Sequence, residues 1–141
     1  MTAINIDNQI QTQYTFTIAG KERQMTFSDV EASELSKVEF QVTKLINSIT
    51  DKELKELDKE TVEQQTAYLE NKWGELRDII LGYFDKHFGA GNGKEIYTFY
   101  NESTRALATV FRKVADYLDK VDVSQAKINR YDRRHAKKQG A

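Results

Sequence analysis

The sequence predicts a mainly α protein: an N-terminal β-hairpin, then an antiparallel helical bundle with a frayed basic C-terminal tail. Three observations carry this. Apolar and polar residues alternate at period two between positions 14 and 27. From Leu35 onward the apolar residues recur every three or four positions. Proline is absent from all 141 residues, so no helix interior is interrupted.

Residues 1–12 are polar with scattered isoleucines, which reads as a loose start or a short strand at Ile4–Ile6. Tyr14-Thr-Phe-Thr-Ile18 alternates aromatic or branched apolar residues with threonine, the pattern of a half-buried strand. Ala19-Gly20-Lys21-Glu22 supplies a turn, and Arg23-Gln-Met25-Thr-Phe27 alternates again with Met25 and Phe27 on one face. A lone hairpin is marginal in water, so its apolar face must lie on helices or on another chain.

Ser28-Asp-Val-Glu31 is a capping box opening a helix whose apolar positions are Leu35, Val38, Val42, Leu45, Ile46 and Ile49. Thr50-Asp-Lys-Glu53 is a second such box, so a bend and restart are expected there. Val62, Leu69, Trp73, Leu76, Ile80 and Tyr83 then form one seam near the coiled-coil period, widened by Ile79 and Phe84. Gly89 stands where that helix should stop, and the glycines between Phe88 and Lys94 predict a loop. Glu95–Tyr100 reads as a helical turn or a brief helix. Ser103 caps a last helix with Leu107, Phe111, Val114, Leu118 and Val121 on its stripe. The two long seams, joined by a short element, are expected to pack antiparallel. The expected organisation is one domain over 1–121, with the hairpin at about 13–27 and helices at about 29–49, 51–88 and 103–121. Residues 122–141 form a basic, partly disordered tail.

Composition narrows the function classes. Apolar residues make up 39% of the chain, below the usual ~45–50%, yet 7 Phe, 7 Tyr and 1 Trp suffice for a core. The absence of cysteine removes disulfides, thiolate metal sites and thiol nucleophiles. No apolar run is long enough for a membrane span, and the first residues lack the basic and apolar regions of a signal peptide, so a cytosolic protein is expected. The net charge of −1 hides an asymmetry. Lys127, Arg130, Arg133, Arg134, Lys137 and Lys138 outweigh Asp122 and Asp132 in the tail, while 51–63 is acidic. A basic tail fits contact with nucleic acid, contact with an acidic protein partner, or simple solubility.

No constellation of catalytic residues is evident. The glycine segment fails the phosphate-loop pattern: Phe88 stands where its first glycine belongs, and Glu95 where its hydroxyl residue belongs. The two histidines, His87 and His135, are far apart and lie in no His-Glu-x-x-His motif. His87 is expected to border the helix seam or to cap a C-terminal turn. Ser28, Thr50 and Ser103 are explained as caps, and no nucleophile elbow occurs. Tyr97, Phe99 and Tyr100 beside Lys94 and Arg105 could stack bases, but lack the strand-borne pattern of an RNA-recognition fold. A non-enzyme is therefore expected, with no catalytic, cofactor or metal residue and no cofactor.

Two segments carry a family resemblance. One is Tyr14-Thr-Phe-Thr-Ile-Ala-Gly-Lys-Glu-Arg-Gln-Met-Thr-Phe27 running into a capped helix. The other is Tyr83-Phe84-Asp85-Lys86-His87-Phe88-Gly89-Ala90-Gly91 leading to Ile96 and Tyr97. Over residues 13–121 the chain resembles the small tail assembly chaperones of long-tailed (siphovirus-type) bacteriophages and prophages of Gram-positive hosts, and departs from them in its long polar 51–66 segment. The resemblance implies a non-catalytic protein in the cytoplasm of the bacterial host, binding the tape measure protein during tail morphogenesis, with possible self-association. Trp73, Leu76, Ile80 and Phe111 are expected to hold the helices together, while the hairpin edge and 88–100 meet partners. Two other classes fit the same sequence. One is a nucleic-acid accessory protein acting through the basic tail. The other is a virion structural component such as a head–tail connector.

Overall fold

The computed structural model describes residues 2–50 and 61–139, with side chains placed through 121. After a 3-10 turn at Asp7–Gln9 come strands β1 (Gln13–Ile18) and β2 (Lys21–Thr26). They pair antiparallel, with Tyr14 opposite Met25 and Phe16 opposite Arg23. Only Ala19 and Gly20 lie between them, both at positive φ (55° and 74°), as a tight hairpin turn with the strands' own twist requires. The turn is thus two residues long, and Lys21 and Glu22 already belong to β2.

Among the described residues four helices follow: α1 (Asp29–Thr50), α2 (Val62–Phe88), α3 (Asn92–Phe99) and α4 (Thr104–Gln139). Glu31 reaches back to accept a hydrogen bond from the Ser28 amide (3.2 Å), and its carboxylate also meets the Ser28 hydroxyl. The Ser103 hydroxyl accepts from the Ala106 amide (3.1 Å), capping α4. A capping box that the apolar pattern did not point to opens α2. Thr61 accepts from the Gln64 amide, and Gln64 accepts from the Thr61 amide. Thr61-Val-Glu-Gln64 carries the ordinary signature of that motif. The expected restart at Asp51–Glu53 lies outside the described residues. Thr50 ends α1 with its hydroxyl donated to the Ile46 carbonyl (2.9 Å).

The core matches the predicted stripes closely. Leu35, Val38, Val42, Leu45 and Ile49 of α1 are buried, as are Leu76, Ile80, Tyr83 and Phe84 of α2 and Leu107, Phe111, Val114 and Leu118 of α4. Met25, Tyr14 and Ile18 seal the hairpin against them. Edge-to-face ring pairs join the layers, among them Tyr83–Phe111 (5.2 Å), Phe16–Phe88 (6.2 Å) and Phe16–Tyr117 (5.6 Å). Val62 departs from its predicted place on the seam, being 76% exposed. In the antiparallel α1–α2 pair Glu34 meets Lys86, so Thr50 comes level with about residue 70, and Val62 projects beyond the end of α1.

The bundle is antiparallel where α1 meets α2 and where α3 folds back along α2. The two long seams behave differently from expectation. Arg105 sits over Trp73 and Phe111 sits against Tyr83, so α4 advances alongside α2 in the same direction. The reversal is absorbed by α3, which begins at Asn92, inside the segment expected to be loop. The loop itself is only Gly89–Gly91. A Cβ on Gly93 would fall 2.7 Å from the Leu81 carbonyl oxygen, so glycine here permits close helix approach rather than a bend. The backbone of α4 is helical to Gln139, past the end of the predicted stripe at Val121.

Candidate protein interface

The segment singled out in the sequence reading, residues 88–100, packs around a buried arginine of the hairpin. Arg23 faces inward from β2, opposite Phe16, and only 4% of it is exposed. Its Nε donates to the Ile18 carbonyl (3.0 Å) and its Nη1 to Glu95 Oε2 (2.8 Å) and to Asn92 Oδ1. Asn92 in turn donates through Nδ2 to the carbonyls of Phe88 (3.1 Å) and Gly89 (2.9 Å), satisfying the end of α2. Asp85 accepts from the Gly93 amide (2.8 Å), so a carboxylate on α2 caps the N-terminus of α3, which has no side-chain cap of its own. One polar cluster thereby locks hairpin, α2 and α3 together. The Arg23 guanidinium, with Lys21 beside it (3.7 Å), holds the Glu95 carboxyl below its ordinary range. Alternation set Met25 and Phe27 on one face and did not single out Arg23, whose burial and role depend on the distant Asn92 and Glu95.

Segment 88–100 is partly enclosed. Gly93 and Ile96 are buried, Phe88, Tyr97 and Tyr100 are half-buried, and Phe99 is 56% exposed. Phe99 stacks edge-on against Tyr100 (5.0 Å) and lies over Gly20 of the hairpin turn. Among the residues expected to hold the helices together, Leu76, Ile80 and Phe111 are in the core. Trp73 sits half-buried at its edge, covered by the Arg105 guanidinium 4.7 Å from the ring.

A second surface lies along β1. Among the described residues its sheet has two strands, so β1 has an edge without a neighbouring strand there. A cleft of about 480 Å³ follows that edge between Tyr14–Ile18 and the α4 residues Val110, Lys113, Val114 and Tyr117. Further large apolar side chains stand in solvent: Phe40 and Val30 of α1 at 73% each, and Tyr117 at 48%.

Three titratable groups sit at helix contacts. His87 borders the seam, as the sequence suggests, packed on the Tyr83 ring (4.4 Å) with Nε2 3.6 Å from Glu34. Burial pushes its pKa down, against the pull of Glu34. Glu34 itself is held below the ordinary carboxylate range by Lys86, 2.9 Å away. Glu39 is raised to about 7 by burial and by the Asp119 and Asp116 carboxyls of α4. No group of three His, Asp or Glu side chains able to hold a metal ion occurs among the described residues, and none of their helices is long and apolar enough to cross a membrane.

No protein-family model matches this chain, and no curated protein or solved structure matches it either.

Proposed function

We propose that this protein is a non-catalytic binding protein of the tail assembly chaperone type, which holds a tape measure protein soluble in the cytoplasm of the bacterial host while the tail assembles. The observation that carries this reading is the surface. Beside a buried core, Val30 and Phe40 of α1 and Phe99 of α3 stand in solvent. Such apolar side chains on helix faces suit an amphipathic helix laid against them, and a tape measure protein offers a long series of such helices. Weak sites repeated along one extended partner hold it by multivalency and still release it step by step.

Co-expression with a tape measure protein, sought as a very long helical product of the neighbouring reading frames, tests the proposal. The expected result is that the partner stays soluble and co-purifies, and that the chaperone is missing from finished particles. A partner equally soluble without this chain would overturn the proposal. Finding the chain in purified particles would favour a structural component instead. Steep loss of DNA binding with rising salt would favour the tail as a nucleic-acid contact.

A further inference from the structure

The N-terminal arm and the β1 cleft fit each other across two molecules. Residues 2–13 are exposed throughout, and the arm presents Ile4 at 79%, Ile6 at 55% and Ile10 at 62% exposure. The hydrogen bonds of residues 2–10, among the described residues, are all internal to the arm. Examples are Asn8 to Asn5 (3.2 Å) and Gln9 to Ile6 (2.9 Å). Three large aliphatic side chains on a segment this exposed need a surface to bury them.

The cleft supplies that surface. Ile18 and Lys21 flank the two-residue turn and form the hydrogen-bonded pair that closes it, so Phe16–Arg23 and Tyr14–Met25 are hydrogen-bonded pairs too. The intervening residues Thr15 and Thr17 turn their amides and carbonyls to the opposite edge, which lines the cleft. An added strand would find backbone partners there and an apolar wall of Val110, Val114 and Tyr117. Ala3-Ile4-Asn5-Ile6-Asp7 alternates at period two, as an added strand does. Charge agrees as well. Among the residues lining the cleft the charged one is Lys113, and between Thr2 and Thr12 the charged one is Asp7.

We infer that the chain forms a two-fold dimer in which each N-terminal arm adds as a strand to the β1 edge of the other copy, its isoleucines packing into the cleft between β1 and α4. A second copy is the occupant because the molecule's own arm lends the cleft only Gln11, next to β1, while its Ile4, Ile6 and Ile10 stand in solvent outside the cleft's lining. The exchange is reciprocal, as a closed two-fold interface demands. It stands apart from the chaperone reading and is tested on the isolated protein.

Sedimentation equilibrium of the full chain is expected to give twice the mass of one chain. An Ile4→Asp/Ile6→Asp variant is expected to give one chain's mass and still to melt cooperatively, with a midpoint that no longer rises with protein concentration, since neither residue is part of the core. Lys113→Glu should raise the dimer dissociation constant by roughly three- to tenfold, and Asp7→Lys in the same chain should restore it. A wild-type protein that stays monomeric overturns the inference, including the case where each arm folds onto its own cleft. So does a dimer that survives the arm substitutions, or one indifferent to the charge exchange.

Discussion

Arg23 is the residue on which three elements converge. Replacing it with alanine leaves the Ile18 carbonyl and Asn92 Oδ1 without their donor and opens a cavity under the hairpin. We expect Arg23→Ala to destabilise by about 2–3 kcal/mol in a denaturant titration, with Arg23→Met recovering part through packing. The Glu95 carboxyl should also titrate higher in the variant, which NMR can follow, because its main stabilising donor is gone. Glu39 gives a pH dependence. Its folded pKa of about 7 lies above the ordinary glutamate value of 4.5, so the folded form keeps a proton that the unfolded chain releases. Its contribution is complete below about pH 4.5 and is lost as pH rises through about 7. Glu39→Gln should therefore flatten the melting temperature between about pH 5 and 8 and stabilise the protein by about 1 kcal/mol at the upper end of that range. That figure allows for solvent screening of a largely accessible group.

Glycines in the helices serve different ends, and substitution separates them. Around Gly82 there is nothing within 4 Å of where a methyl group would stand, whereas at Gly93 such a group meets the backbone of α2. Gly82→Ala is expected to be neutral or to stabilise by up to about 1 kcal/mol through helix propensity alone. Gly93→Ala should destabilise by about 1–3 kcal/mol, because α3 must move off α2 and disturb the Asp85 cap. Paired thermal melts of the two variants check this. At the hairpin, Ala19 holds a φ of 55° that an L residue adopts at a cost of about 1 kcal/mol. Ala19→Gly should raise stability by about 0.5 kcal/mol, the gain being offset in part by the freer unfolded chain.

Taken as a whole, the molecule separates what holds it together from what it shows to solvent. Phe40 lies on the outer face of α1, 73% exposed, while Val38 and Val42 beside it are buried. Phe40→Asp is expected to leave the folding stability within about 0.5 kcal/mol of wild type, as surface changes usually do. If the exposed aromatic faces carry the partner, the same variant should lower recovery of the tape measure protein in a pull-down. Retention of full recovery by a combined Phe40→Asp/Phe99→Asp variant would move the binding surface elsewhere.

The hairpin, the helical stripes and most of the core could be read from the sequence because each depends on local periodicity: two for β1 and β2, three and four for Leu35 to Ile49 and Leu107 to Leu118. Caps at Ser28 and Ser103 and the stop at Gly89 are local too. The direction of α4 against α2, the purpose of Gly93 and the burial of Arg23 were decided only in three dimensions. Each depends on contacts between residues far apart in the chain or on separate elements: Trp73 with Arg105, Gly93 with Leu81, Arg23 with Glu95. Periodicity fixes which face of a helix is apolar, but it carries no information on which neighbour covers that face or which way the neighbour runs.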